Sequence, residues 1–327
     1  MDFGVVIPTW GPYCRPDVFS ELVEAAESLG YGHAWFGDHI VIPDYGVKLS
    51  RAEWFEAVAC SAFGAGSTRR LRFGFDVLVM PYRSPVYLAQ QLATIDALSG
   101  GRVTLAVGVG YMRGEFEAVA APPYEERAAV TEEYVAVLRN LWEGPGPKTF
   151  EGRFVTYRDV HAEPRPVQTP SIPVWIGGNI PRARSRAARI GDGWHPLWPS
   201  PEDYARYRAE IEAARSAAGR TGPFVFSYSC PETRVLSAGT TPVGRQPYGG
   251  AAVPEEFRYA PNVPARDGRP IFQGTAEQLR EDVAVLAKAG VDQLSLRFWA
   301  GSKDITPDVF ISQMQRFANE VIPASGN

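Results

Sequence analysis

An acid and an imidazole stand side by side in Trp35-Phe36-Gly37-Asp38-His39, just after a short apolar run, and their types suit proton transfer. Imidazole has an ordinary pKa of about 6.5, so His39 could give or take a proton near neutrality, or hydrogen-bond a substrate oxygen while hydride moves at the adjacent carbon. The plain alternative is a structural pair that bonds loop backbone, because one histidine lacks the further partners of a specific constellation. A second feature is Val107-Gly108-Val109-Gly110-Tyr111, where Gly108 and Gly110 strip side chains from one face of an extended segment. A flat ring could approach backbone there, although a tight turn would need the same residues. It is not a dinucleotide fingerprint, since Arg113 stands where the third glycine would be. The third feature is Gly177-Gly178-Asn179 before a segment in which Arg182, Arg186 and Arg189 share a helical face. Converging N–H groups, the positive end of a helix and a cap from Asn179 or a neighbour would hold a phosphate without a metal. An arginine-rich solvated helix is the alternative.

Other chemistries find less support. His33, His39, His161 and His195 show no paired helical spacing, and Cys14, Cys60 and Cys230 are scattered, so no metal site is expected. No GxSxG elbow marks a hydrolase. A net charge of −4 gives no general attraction for nucleic acid or an anionic membrane, which leaves small molecules as the expected partners. Three unpaired cysteines, a start that reads as a strand, and the lack of a long apolar run favour a cytoplasmic location.

The elements that must position these residues alternate between short β-branched runs and longer segments of helical period, the pattern of a parallel sheet with crossover helices. Strands are expected at Phe3–Pro8, from His33, at Leu71–Val79, Val103–Val109, Val174–Ile176, Gly193–Pro196, Phe224–Ser229 and Gln293–Phe298. Helices follow each, among them Asp17–Leu29, Ala52–Gly64, Tyr124–Trp142 and one opened by the capping box Thr275-Ala276-Glu277-Gln278. Eight of each predict an α/β chain folded as one (β/α)8 TIM barrel over residues 1–327, with insertions at the C-terminal face. The excursions fall at about 144–172 and 231–272, and the second is a lid candidate. Ligands in such barrels sit over the carboxyl ends of the strands, where all three features lie. Tryptophans near strand ends, Trp10 among them, could wall a dry pocket.

The strings Trp35–His39, Leu92-Ala93-Thr94-Ile95-Asp96-Ala97-Leu98-Ser99-Gly100-Gly101-Arg102, Ile176–Asn179, Ala188–Trp194 and Phe272–Thr275, in this order, resemble the luciferase-like monooxygenase superfamily over nearly the whole chain. Within it the likeness is greatest to the actinobacterial branch that uses coenzyme F420. The resemblance implies a barrel with an isoalloxazine-like ring over the strand ends, its phosphate held at Gly177, Gly178 and Asn179. It implies a non-prolyl cis peptide near Asp76-Val77, where family members carry a small residue and this chain departs from them. It implies that His39 contacts substrate, with Trp10 and Tyr111 lining the substrate space and Asp38 beside the cofactor. Sugar-phosphate-oxidising relatives have a catalytic glutamate where Tyr111 stands, which disfavours that substrate. The expected activity is hydride transfer between F420 and a small organic substrate. The alternatives are an FMN-using monooxygenase that consumes O2, and a flavin-binding barrel without turnover. A homodimer and a separate reductase supplying reduced cofactor are implied by the resemblance alone.

Overall fold

The computed structural model describes residues 1–242, 262–298 and 306–322, with nothing said of the side chains of 48–50. Eight parallel strands close on themselves: β1 (Asp2–Val6), β2 (His33–Phe36), β3 (Arg72–Phe75), β4 (Val103–Gly108), β5 (Val174–Gly177), β6 (Gly193–His195), β7 (Val225–Glu232) and β8 (Gln293–Arg297). Neighbours in sequence are neighbours in space, and β1 pairs with β8 to complete the ring. Strand β3 resumes at Leu78–Val79, which pairs with Val107 and Gly108 of β4, after the two residues Asp76 and Val77 leave the ladder. The helices are α1 (Pro16–Ser28), α2 (Asp44–Ser50), α3 (Ala57–Ser67), α4 (Pro85–Ser99), α5 (Arg113–Ala118), α6 (Arg127–Trp142), α7 (Pro181–Ile190), α8 (Pro201–Ala217), α9 (Ala276–Lys288) and α10 (Pro307–Glu320). No helix of the described residues is long and apolar enough to cross a membrane.

The period-two alternation of the strands divides the apolar residues into two layers. Val5, Ala34, Phe36, Phe73, Phe75, Leu105 and Ile176 point outward and pack with the inner faces of the helices, including Leu22 and Val23 of α1 and Leu88 and Leu92 of α4. Val6, Trp35, Ala106 and Trp175 point inward and fill the barrel, joined by Val77 and Val225. Two indoles fit only because glycines face them. A Cβ on Gly74 would lie 2.3 Å from Trp35, and one on Gly193 would lie 2.5 Å from Trp175.

The eight strands and, among the described residues, the eight longer helices come in the expected order, and the Thr275/Gln278 capping box is present at α9. Three local differences matter. Helix α3 starts at Ala57 rather than Ala52, because Trp54 is drawn into an antiparallel bridge with Trp10 and Glu56 then caps the helix by accepting from the Ala59 N–H. Two short helices, α2 and α5, interrupt the long connections after β2 and β4. The insertion at 144–172 lies at the opposite end of the barrel from the C-terminal face. Its hairpin, Lys148–Glu151 against Thr156–Val160, precedes β5, and Gln168 bonds Arg72 and the Val103 carbonyl at the amino-terminal starts of β3 and β4. The insertion at 231–272 follows β7 and so leaves from the C-terminal face. Arg234–Val235 pairs with Gln273–Gly274, and Ala265–Arg266 with Arg269–Pro270, while 243–261, the middle of the lid candidate, is outside the described residues.

The interior packing makes a prediction. Gly74→Ala forces Trp35 out of its slot, and overpacking of this kind costs roughly 1–3 kcal/mol. Urea unfolding should show that loss, while an unchanged midpoint would mean that Trp35 can swing aside.

Candidate functional site

Strand β2 ends at Phe36, and the chain turning out of the barrel mouth presents His39 over the strand ends. Its partner comes from α5, the short helix after β4: His39 Nδ1 lies 2.8 Å from Glu115 Oε2. Glu115 is fully buried, and its Oε1 accepts the Ile40 N–H at 2.6 Å and the Val41 N–H at 3.3 Å. The Tyr82 hydroxyl donates to Oε2 at 2.9 Å. Burial, reinforced by the Glu115 charge, pushes the Tyr82 phenol far above its ordinary range, so it remains a donor. A carboxylate only accepts, so Nδ1 carries the imidazole proton of neutral His39 and Nε2 presents its lone pair. The Tyr111 hydroxyl sits 3.1 Å from that Nε2.

An aromatic wall completes this corner. The Trp54 ring meets His39 edge-on at 4.7 Å, and Trp10, just past β1, stacks on Trp54 at 4.8 Å. Tyr111 and Trp10, both named from the sequence as substrate-lining candidates, are therefore brought to the same side of the mouth as His39.

Asp38 does something else. Its buried carboxylate accepts the Val79 N–H at 2.8 Å and a two-pronged bond from Arg83, which also holds Glu56. Both oxygens are committed to joining the ends of β2 and β3, so Asp38 is not the acid partner of His39, and no free polar atom of its side chain is left to bind a cofactor. That corrects the reading of Asp38 as a cofactor contact.

The floor of the mouth is built around Val77. The Asp76–Val77 peptide is cis, as the resemblance implied. The Val77 side chain is seated between two glycines: a Cβ on Gly108 would come within 2.4 Å of one methyl and a Cβ on Gly177 within 2.9 Å of the other. Gly108 and Gly177 therefore make room for Val77 rather than leaving bare backbone. Gly110 has φ +80° and faces Phe116 and Val79, either of which a Cβ would meet at 2.7 Å, so the turn before Tyr111 requires glycine.

The arginine cradle is corrected. Arg186 and Arg189 do share a face, but that face lies against α6, where both bond Glu132. Arg182 is exposed. Asn179 is not a cap, since its amide clamps the backbone of Leu197, donating to the carbonyl at 2.7 Å and accepting the N–H at 2.9 Å. What survives is the start of α7 itself, with Ile180 at the N-cap, Pro181 in the first turn and no side-chain cap, preceded by Gly178 at φ +106°. Helix N-termini of this kind attract anions. A phosphate towards Gly178 and the start of α7 would fit these residues.

Sequence reasoning missed Glu115 and Tyr82, and weighed Trp54 only as one of several tryptophans that could wall a pocket. A signal for Glu115 existed in Arg113-Gly114-Glu115-Phe116-Glu117-Ala118, a short helical stretch just past the Gly108/Gly110 strand end, but its acid is 76 residues from His39.

Comparison with known proteins agrees with this architecture. A family model described as luciferase-like monooxygenase matches residues 1–246. The FMNH2-dependent dimethylsulfone monooxygenase of Pseudomonas putida is 29% identical over 293 residues, covering 82% of this chain and 78% of that protein. The F420-dependent glucose-6-phosphate dehydrogenase of Amycolatopsis mediterranei is 32% identical over 177 residues, covering 53% of this chain and 51% of that one. Among solved structures, an F420-dependent secondary alcohol dehydrogenase in complex with an F420-acetone adduct superposes with a TM-score of 0.78 at 22% identity, covering 100% and 99% of the two chains. The monooxygenase RslO1 of Streptomyces bottropensis gives the same TM-score at 23% identity, covering 99% of each. Those two likenesses concern the fold.

Glu115→Ala should be costly to stability. It leaves the Ile40 N–H, the Tyr82 hydroxyl and His39 Nδ1 without their acceptor, and losses of this type run to about 3–5 kcal/mol. Chemical denaturation measures it, with Tyr82→Phe expected to cost no more than about 1.5 kcal/mol; equal losses would mean that Glu115 serves Tyr82 alone.

Proposed function

The chain belongs to the luciferase-like monooxygenase family, and from that premise we propose that it is a coenzyme F420-dependent oxidoreductase acting on a small organic substrate. The observation that carries the reading is the His39–Glu115 pair with the Tyr111 hydroxyl on the open nitrogen, an arrangement built to handle one proton. Bound over Val77, the deazaflavin would supply a two-electron centre that takes or gives hydride. The protein's part is position, dryness and the proton. Glu115 fixes the His39 tautomer, so Nε2 can accept a proton from a substrate hydroxyl as it becomes a carbonyl, or return one in the opposite direction. Tyr111 can share that oxygen or relay the proton through its own hydroxyl. Trp10 and Trp54 present stacked apolar faces that exclude water and favour an uncharged organic substrate.

The ring would rest on Val77 between Gly108 and Gly177, with its phosphate at Gly178 and the start of α7. Relatives of both cofactor classes are similar to this chain, so an FMNH2-dependent, O2-consuming monooxygenase is the competing outcome. For substrate reduction, and on the monooxygenase reading, a separate reductase would supply the reduced cofactor, whereas alcohol oxidation would itself reduce it; a second copy of the chain as a homodimer follows family habit.

Two measurements test the proposal. Titration with oxidised F420 and with FMN, followed by quenching of tryptophan fluorescence, should show much tighter binding of F420, and Gly178→Val should weaken it because φ +106° excludes a branched side chain. Preference for FMN would move the assignment to the monooxygenase reading, and binding of neither would sink both. With a turnover assay in hand under anaerobic conditions, His39→Ala should lower kcat by about 10²–10⁴ with little change in cofactor affinity; an unchanged rate would remove His39 from the chemistry.

A further inference from the structure

The outer wall of the barrel is not chemically uniform. Helices α1, α6, α7, α8, α9 and α10 all carry ionised side chains on their outer faces, for example Glu21 and Glu24 of α1 or Arg206 and Glu210 of α8. That is the ordinary division of a helix between core and water. Helices α3 and α4 break it. Along Ala57–Ser67, α3 contains no acid, lysine or arginine, and the one acid of α4, Asp96, is turned inward and fully buried. The two helices follow successive strands and pack side by side, so their outer faces make one continuous surface without charge.

Large apolar side chains stand on that surface. Leu98 is 85% exposed, Tyr87 76% and Phe63 59%, with Val86 beside Tyr87. The exposed Val167, from the insertion at 144–172, is fixed at the end of α4 by its N–H on Asp96 Oδ2 at 2.9 Å. These are five of the ten large apolar side chains that stand exposed among the described residues, so half of them gather on one flank. Single exposed apolar residues mean little, whereas a gathered set marks an association surface. Charge returns at the rim: Glu27, Arg69 and Arg70 meet at the foot of α3, and Glu163 and Arg165 pair beyond α4. An apolar centre inside a polar margin is the anatomy of a protein interface.

We propose that the outer faces of α3 and α4 join two copies of this chain about a twofold axis. The absence of charge selects that occupant. Across a twofold axis a patch meets itself, so any acid or base near the axis meets its own like charge, and a self-complementary surface is favoured when it carries none. A head-to-tail contact would need a second apolar face elsewhere on the barrel, and the other six longer helices are charged on their outer sides. The surface lies on the flank and leaves the mouth over the strand ends open, so each copy keeps a complete site, and the contact holds whichever cofactor that site takes.

Sedimentation of the whole chain over a range of concentrations tests this. The wild type should run as a single species of twice its 35.9 kDa. Tyr87→Glu and Leu98→Glu each place a carboxylate in a contact that offers no counter-charge, and each should raise the dissociation constant on the order of a hundredfold. Gln91→Lys, at an exposed position of α4 between them, adds charge without removing any apolar group and keeps the test open should the other two fail to fold. Val309→Glu, on the outer side of α10, should leave the dimer as it is. A wild type that is monomeric at every concentration overturns the proposal, as does a dimer that survives the α4 substitutions or one that Val309→Glu breaks equally well.

Discussion

One carboxylate organises the mouth of this barrel. Glu115 collects two backbone N–H groups from the segment after β2, an imidazole from the same segment, and a phenol from the segment after β3, while sitting itself on a helix that follows β4. Three strand ends that the barrel only brings near each other are thereby locked into one geometry. A buried acceptor with this many donors is favourable only when all of them arrive, so it ties the positions of the segments that carry them to one another. His39 inherits its orientation from that constraint, and Tyr111 and Trp54 take theirs from His39.

Below the mouth the barrel is filled by an aromatic column in place of the usual layers of branched aliphatics. His33 stacks on Trp35 at 5.1 Å, and Trp35 on His195 at 5.0 Å, with Asp2 bonded to the lower imidazole and Asp76 to the upper one. Rings this large need small residues opposite, hence Gly4, Gly74 and Gly193 on the facing strands. The polar ends of the column need buried partners, hence the serines of β7 and Arg297 of β8. These strand glycines are packing residues, spaced by the barrel rather than by any loop.

The barrel itself was legible because it rests on local signals: period-two runs, amphipathic helices, and caps such as Thr275 with Gln278. His39 was legible as a type at a strand end. Its partner was not, because adjacency in sequence favoured Asp38, and only the closed barrel shows that Asp38 spends both oxygens on Val79 and Arg83. The arginines of α7 misled for a related reason. Spacing tells which residues share a face and says nothing of what that face meets, and here it meets Glu132 of α6. Helix α5 was missed because six residues between the Gly110 turn and the Pro122-Pro123 pair leave too short a window for a helical period.

Asp76 shows why departure from a family pattern can be more informative than agreement. A small residue next to the Val77 seat would leave Arg297 without a carboxylate inside the barrel and His195 Nε2 without its partner, and an unpaired cation there would be costly. Asp76 therefore implies the cluster, and the cluster implies Asp76. Each of the two buried carboxylates ends on an imidazole, Glu115 above the floor and Asp76 behind it. The upper one leaves a ring nitrogen open towards the mouth, while the lower one closes every polar atom of its ring. The difference separates a histidine with one nitrogen facing the mouth from one whose ring atoms are all bonded within the barrel.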